Sequence, residues 1–235
     1  MALTVDDILG PGGLVAGRLA GYERRDEQLA MARAVAEAFE AVEHLIVEAG
    51  TGVGKSFAYL VPAILGAAVG KRAVVSTYTI ALQEQLIHKD LPLLAEALPV
   101  RFSAALAKGR NNYLCFRRLA LAVQQRQKVF SRPGHLEQIE ALAEWAMQTE
   151  TGSLQDIEFP LDAEVWAKAR SEPGLCRGAQ CAHRGRCHFL AARRRVQAAE
   201  IVVTNHALFF ADLALPGEAA ELLGEYERVV FDEAH

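Results

Sequence analysis

The strongest constraint in this chain is a glycine-rich turn between a short apolar stretch and a long apolar helix. Ala49-Gly50-Thr51-Gly52-Val53-Gly54-Lys55-Ser56 follows Leu45 to Val47, which reads as a strand, and opens a helix expected from Lys55 to about Val69. Glycines let the backbone curl until several N–H groups point at the same oxygens, and the next helix adds its positive end. Phosphate binding needs this geometry. Lys55 is placed to reach the β- and γ-phosphates of a nucleotide, and the Ser56 hydroxyl to hold Mg²⁺. Ala49 departs from the general pattern, standing where many such loops carry their first glycine.

The surroundings suit an open α/β sheet. A helix is expected from Asp26 to Val42, with Met31, Val35, Ala38, Phe39 and Val42 as its apolar stripe. Ala73 to Thr77 reads as a buried strand and Ile80 to Leu98 as a helix. Two further apolar strands are expected at Ile201 to Thr204 and Arg228 to Asp232. Strands alternating with helices at this spacing imply a parallel sheet with helices on its faces. The last strand delivers Asp232 and Glu233 to the sheet edge, where ligands of such sheets bind. Beside a phosphate loop, the first carboxylate binds Mg²⁺ and the second activates the attacking water. His235 is a candidate coupling residue. The first sheet is expected to lack its final strand, leaving an exposed edge.

From about Val100 to Glu200 the texture changes to a helix-rich stretch holding all four cysteines. Arg101, Lys108, Arg110, Arg117, Arg118, Arg126, Lys128 and Arg132 occur with no acid between Ala97 and Leu136. An acidic segment follows, from Glu137 to Glu164, and then a second basic one, from Lys168 to Arg195. We read an inserted module whose two basic segments are brought together by the cysteines. The net charge of −4 argues against a nucleic-acid binder, but it averages these segments, and a local patch suffices. Arg110, Tyr113, Phe116, Arg117 and Arg118 mix cations with aromatic faces, as single-strand binding requires. Core packing is the plain alternative for Tyr113 and Phe116.

The apolar run Phe57 to Gly70 is too short to span a bilayer, and Asp6 and Asp7 without a basic cluster lead us to expect no secretory signal. A cytoplasmic location is therefore expected, where cysteines serve metals or catalysis rather than cross-links. Cys115 stands alone, and Cys176, Cys181 and Cys187 follow in a C-x4-C-x5-C pattern. Thiolates suit zinc or an iron–sulfur cluster. Spacing alone leaves both open, with His183 and His188 as spare ligands for zinc.

Together, the loop, the terminal Asp-Glu-Ala-His and the four cysteines resemble the iron–sulfur superfamily 2 DNA helicases. The C-x4-C-x5-C spacing is similar to the bacterial DinG/YoaA branch rather than to the closer-spaced XPD cysteines. Asp6-Asp-Ile-Leu-Gly-Pro-Gly-Gly13 and Tyr22-Glu-Arg-Arg-Asp-Glu-Gln28 also resemble that branch. The resemblance runs over essentially the whole chain.

It implies a RecA-like P-loop motor domain with an inserted iron–sulfur domain. Residues 1–99 would hold the first part of the motor, 100–200 the insert, and 201–235 the return to the motor. Arg25 and Gln28 fall at the adenine-contacting motif, and Ala49 to Ser56 at the nucleotide loop. Thr77, Thr79 and Gln83 match the motif that touches the DNA backbone. Lys108-Gly-Arg110-Asn-Asn-Tyr113-Leu-Cys115 matches the lead into the cluster, and Thr204-Asn-His206 the element after the insert. Cys115, Cys176, Cys181 and Cys187 match the ligands of a 4Fe–4S cluster. The implied activity is ATP hydrolysis coupled to 5′-to-3′ movement on single-stranded DNA, in repair or replication. Repair or single-strand-binding proteins are implied as partners, and no membrane.

Such an enzyme needs an arch domain and a second motor domain, which do not follow His235. The chain is therefore expected to be an N-terminal piece that does not unwind DNA by itself. A different class of reading is a zinc-bearing nucleic-acid module whose P-loop binds nucleotide without driving movement. A small-molecule P-loop kinase is a third, disfavoured by the basic, cysteine-rich insert.

Overall fold

The computed structural model describes residues 3–18, 22, 23, 25–214 and 222–234, so His235 lies outside the described residues. The chain opens with α1 (Val5–Leu9), α2 (Leu14–Arg18), α3 (Asp26–Ala41) and α4 (Lys55–Ala67). Next come β1 (Ala73–Thr77), α5 (Ile80–Gln85), a π-helical turn (Leu86–Asp90), α6 (Leu91–Ala97) and β2 (Ala104–Leu106). After these lie α7 (Phe116–Gln124), α8 (Arg126–Val129), α9 (Pro133–Trp145) and α10 (Ala163–Ala169). The chain continues with α11 (His188–Ala198), β3 (Ile201–Asn205), α12 (His206–Ala214) and β4 (Arg228–Phe231). It divides into two compact units, residues 1–107 with 196–235, and residues 108–195.

The first unit is built on a four-stranded sheet in the order β2-β3-β1-β4. Every pair is parallel, and Ala73 is level with both Ile201 and Arg228. That register puts the ends of β1, β3 and β4 on one edge of the sheet. Five consecutive buried residues in β1 (Ala-Val-Val-Ser-Thr) mark a central strand covered on both faces. α4 is buried along most of its length, and Leu60, Val61 and Ile64 join Leu29, Ala32 and Val35 of α3 in the main core.

Three local expectations are corrected. Leu45 to Val47 is not a strand, and Ile46 is 98% exposed. The segment makes no ladder with the described strands, where β4 is an edge strand paired on one side only, with β1. The α3 stripe ends early: Val35 is buried beside Leu29 and Ala32, and Met31 and Phe39 pack against the same core, while Val42 leaves the helix in the left-handed region (φ 56°) and is exposed. The helix expected over Ile80 to Leu98 rewinds through the π-helical turn. Pro92, in the first turn of α6, has no N–H to donate back and so breaks the regular ladder.

The second unit is helical and lies inside the 100–200 stretch expected as an insert. It starts later because Ala104–Leu106 is a strand paired with β3. Its core joins Leu119 and Ala122 of α7 to Ile139 and Leu142 of α9 and to Val165, Trp166 and Ala169 of α10. Trp166 donates its indole N–H to the Asn111 carbonyl (3.0 Å). Arg118, only 12% exposed, pairs with Glu172 (2.8 Å) and donates to the carbonyls of Ala167 and Arg170.

Candidate functional site

The glycine loop leads into α4 through Gly54, whose φ of 87° lies in the left-handed region. A Cβ there would also stand 2.0 Å from the Gln28 amide nitrogen. Glycine is required on both counts. The Gln28 amide donates to the Gly54 carbonyl (2.9 Å) and its oxygen accepts from the Tyr22 hydroxyl (2.5 Å). The Arg25 guanidinium donates to the Gly52 carbonyl. The two residues expected to contact adenine thus stand against the loop. Tyr22, Arg25, Gln28, Gly54, Ser56 and Asp90 help line a cavity of about 240 Å³.

The loop and the acidic turn meet, as the paired motifs imply. The Lys55 ammonium lies 2.5 Å from Glu233 Oε1. Asp232 follows β4, and its N–H donates to the Ser76 carbonyl (2.8 Å). Thr77 Oγ1 donates to Asp232 Oδ2 (3.3 Å). Burial pushes the Asp232 carboxyl above its ordinary range, and the Glu233 charge adds to this; Lys55, Thr77 and Tyr59 pull it partly back. Glu233 has a φ of 56°, an uncommon conformation for a residue with a side chain.

Tyr59 is a neighbour that motif reading missed. Its hydroxyl is buried beside Ser56 and Asp232, with no hydrogen bond of full geometry among the described residues. Burial and the nearby Asp232 charge hold its ionisation well above the ordinary value. Tyr59 lies three residues after Ser56 on α4, a spacing that places both on one helix face.

The residues expected to touch DNA fall in both compact units and differ in exposure. Thr77 is fully buried and faces Asp232, and Gln83 is 2% exposed. Neither side chain has appreciable accessible surface in this structure. Thr79 is exposed and caps α5 by accepting from the Leu82 N–H. In the second unit Tyr113 packs inside, the alternative left open above. It is 4% exposed, sits edge-on to Phe189, and burial raises its hydroxyl to about 12. Lys108 donates to Ser153 (3.1 Å), and the Arg110 guanidinium covers the Phe189 ring at 3.9 Å. Arg186 covers Phe116 at 4.1 Å.

All four cysteines are free of disulfides. Cys176, Cys181 and Cys187 each end a short 3-10 turn, over Pro173–Leu175, Gly178–Gln180 and Arg184–Arg186. Cys115 caps the start of α7. The Cys176 sulfur accepts from the Gly178 N–H at 3.4 Å. That bond, with Arg110 and Arg117, lowers the thiol below its ordinary value and favours the thiolate. Among the described residues no three of these thiols converge within 4.8 Å of one another. A separate group brings ligand-type atoms of His135, Asp162 and Glu164 within 4.8 Å of one another. Asp162 there also caps α10.

The first unit therefore has the features of a P-loop nucleotide-binding domain: loop, lysine and acidic turn at the carboxyl edge of a parallel sheet. The model of the DEAD/DEAH box helicase family matches residues 28–159. The chain belongs to the DEAD/DEAH box helicases. It is 37% identical over 233 residues to the ATP-dependent DNA helicase YoaA of Haemophilus influenzae, covering 98% of this chain and 36% of that protein. It is 38% identical to the ATP-dependent helicase DinG of Mycobacterium tuberculosis, covering 100% of this chain and 37% of that one. It is 31% identical to the 3′-5′ exonuclease DinG of Bacillus subtilis, covering 92% of this chain and 23% of the relative. The chain thus spans little more than a third of the helicase relatives. No described helix is long and apolar enough to cross a membrane.

Proposed function

We propose that this chain is the nucleotide-binding and iron–sulfur part of an ATP-dependent DNA helicase that moves 5′ to 3′ along single-stranded DNA. The contact between Lys55 and Glu233 carries the reading, because it joins the phosphate loop to the acidic turn. Without nucleotide, the lysine neutralises the carboxylate. When phosphates arrive, Lys55 exchanges Glu233 for the β- and γ-oxygens. Glu233 is then released to accept a proton from the attacking water. Ser56 and Asp232 would hold Mg²⁺, which neutralises charge developing on the phosphates. Thr77 keeps the Asp232 carboxylate oriented. Arg25 and Gln28 brace the loop beside the base.

Cys115, Cys176, Cys181 and Cys187 would hold a 4Fe–4S cluster. Their thiols are free and accessible enough to be loaded, and the Gly178 N–H bond to Cys176 suits a thiolate ligand. Arg110, Lys108 and Arg117 surround the cluster segment with positive charge for the DNA backbone. The likeness to the DNA helicase YoaA supports DNA as the substrate; a cytoplasmic location and repair or single-strand-binding proteins as partners are part of the same proposal.

Anaerobic purification of the full-length protein, followed by metal counting and unwinding assays on tailed duplexes, tests this. About four irons per chain, broad absorbance near ~400 nm and unwinding from 5′ tails are expected. A colourless protein with one zinc supports the zinc-module reading instead, and preference for 3′ tails overturns the polarity.

A further inference from the structure

His206 lies at the end of β3 and opens α12. In the sheet order, β1 separates β3 from β4. The His206 ring nonetheless reaches both strands. Its Nδ1 is 2.7 Å from Ser76 Oγ on β1, and its Nε2 is 3.1 Å from the Asp232 backbone carbonyl just after β4. In the neutral ring the Ser76 hydroxyl donates to Nδ1, and the Nε2–H donates to the Asp232 carbonyl. One side chain thus ties together the ends of three strands at the edge where nucleotide is bound.

The carbonyl it holds belongs to the peptide that joins Asp232 to Glu233. The next backbone rotation is the φ of Glu233, held at 56°. A side-chain-bearing residue stays in that region only when its surroundings fix it. Fixing the peptide plane sets where the Glu233 carboxylate points, which here is towards Lys55. The His206 ring also lies 6.4 Å from that of Tyr78 and 6.0 Å from that of Phe231. Tyr78 is 71% exposed, beside Thr79 on the loop that leaves β1. Its ring is free to stack on a base.

We infer that His206 is a positioning residue that holds the Asp232–Glu233 peptide in its hydrolytic geometry and links it to nucleic-acid contact at Tyr78. The inference rests on the ATP-hydrolysing, DNA-binding reading proposed above. A base stacked on Tyr78 shifts the imidazole, and the imidazole moves the peptide that aims Glu233.

The test uses full-length protein carrying His206→Leu, His206→Gln or His206→Asn, with ATP hydrolysis measured with and without single-stranded DNA. The Gln amide nitrogen falls near the position of Nε2, and the Asn nitrogen near that of Nδ1. Leu should lower DNA-stimulated kcat by about tenfold or more, with KM for ATP within about twofold of wild type. Gln should restore most of the loss, and Asn should not. A packing role would affect Gln and Asn alike, and equal loss in both overturns the proposal. If the Leu variant does not fold, the Gln–Asn contrast still decides. Adding Tyr78→Leu to His206→Leu should produce no further loss of stimulation, and an additive loss overturns the link to Tyr78. Stimulated hydrolysis that survives in His206→Leu overturns this inference alone. A wild type that DNA does not stimulate overturns the proposed function with it.

Discussion

The two compact units position their chemistry by different means. In the first, sheet register does the work. Parallel pairing of β1 with β3 and β4 brings Thr77, His206 and Asp232 to one edge, and the Lys55–Glu233 contact brings the glycine loop to the same place. In the second, three of the four cysteines end successive short turns, each closed by two backbone hydrogen bonds rather than by a strand ladder. A site set by a ladder keeps its shape before the ligand binds. A site set by turns takes much of its order from what it binds, as small metal sites do.

The largest expected effect follows from that difference. With the proposed cluster held by these thiols, Cys181→Ser should lose iron and loosen residues 108–195 while residues 1–107 stay folded. Hydrogen exchange in the purified variant would locate the change, and equal protection in both units would erase the contrast.

A middle-sized effect is expected at Arg118, whose ion pair and two carbonyl bonds staple α7 to the end of α10. Arg118→Met should destabilise the second unit by about 2–3 kcal/mol, because the charged partner and both carbonyls lose a donor. Denaturant melts should show an earlier transition for that unit. An unshifted transition would mean that the metal centre, rather than the helices, holds it.

The smallest effect concerns the price of a prebuilt site. Asp232 binds its proton more tightly in the folded chain than in the unfolded one. Stability is therefore unaffected at low pH and falls as pH rises from the ordinary carboxylate range through the raised folded value. In metal-free buffer Asp232→Asn should remove that fall and melt slightly higher at neutral pH, while losing ATP hydrolysis. Melts across a pH series check this, and a variant less stable than wild type at neutral pH would contradict it.

The same contrast explains what could be read from the sequence. The glycine loop, the strand at Ala73 to Thr77 and the acidic turn were legible because their chemistry is local: glycine conformations, apolar runs and adjacent charges. Side-chain facing was not. Thr77, Gln83 and Tyr113 match or adjoin nucleic-acid motifs, yet each is buried by packing that no local pattern encodes. β2 was missed because Ala-Ala-Leu is short and has no β-branched residue. The role of His206 was hidden because its partners are 130 and 26 residues away in sequence. Its place one residue past a buried parallel strand was the available signal, since such ends line the ligand edge.

The most direct test of the account is ATP hydrolysis by the full-length protein and its Lys55→Ala variant, each with and without single-stranded DNA, alongside a DNA-binding measurement. Hydrolysis should rise with DNA in the wild type and be abolished in the variant, with DNA affinity largely retained. Hydrolysis that persists in Lys55→Ala would show that the loop and acidic turn at this sheet edge are not the catalytic site.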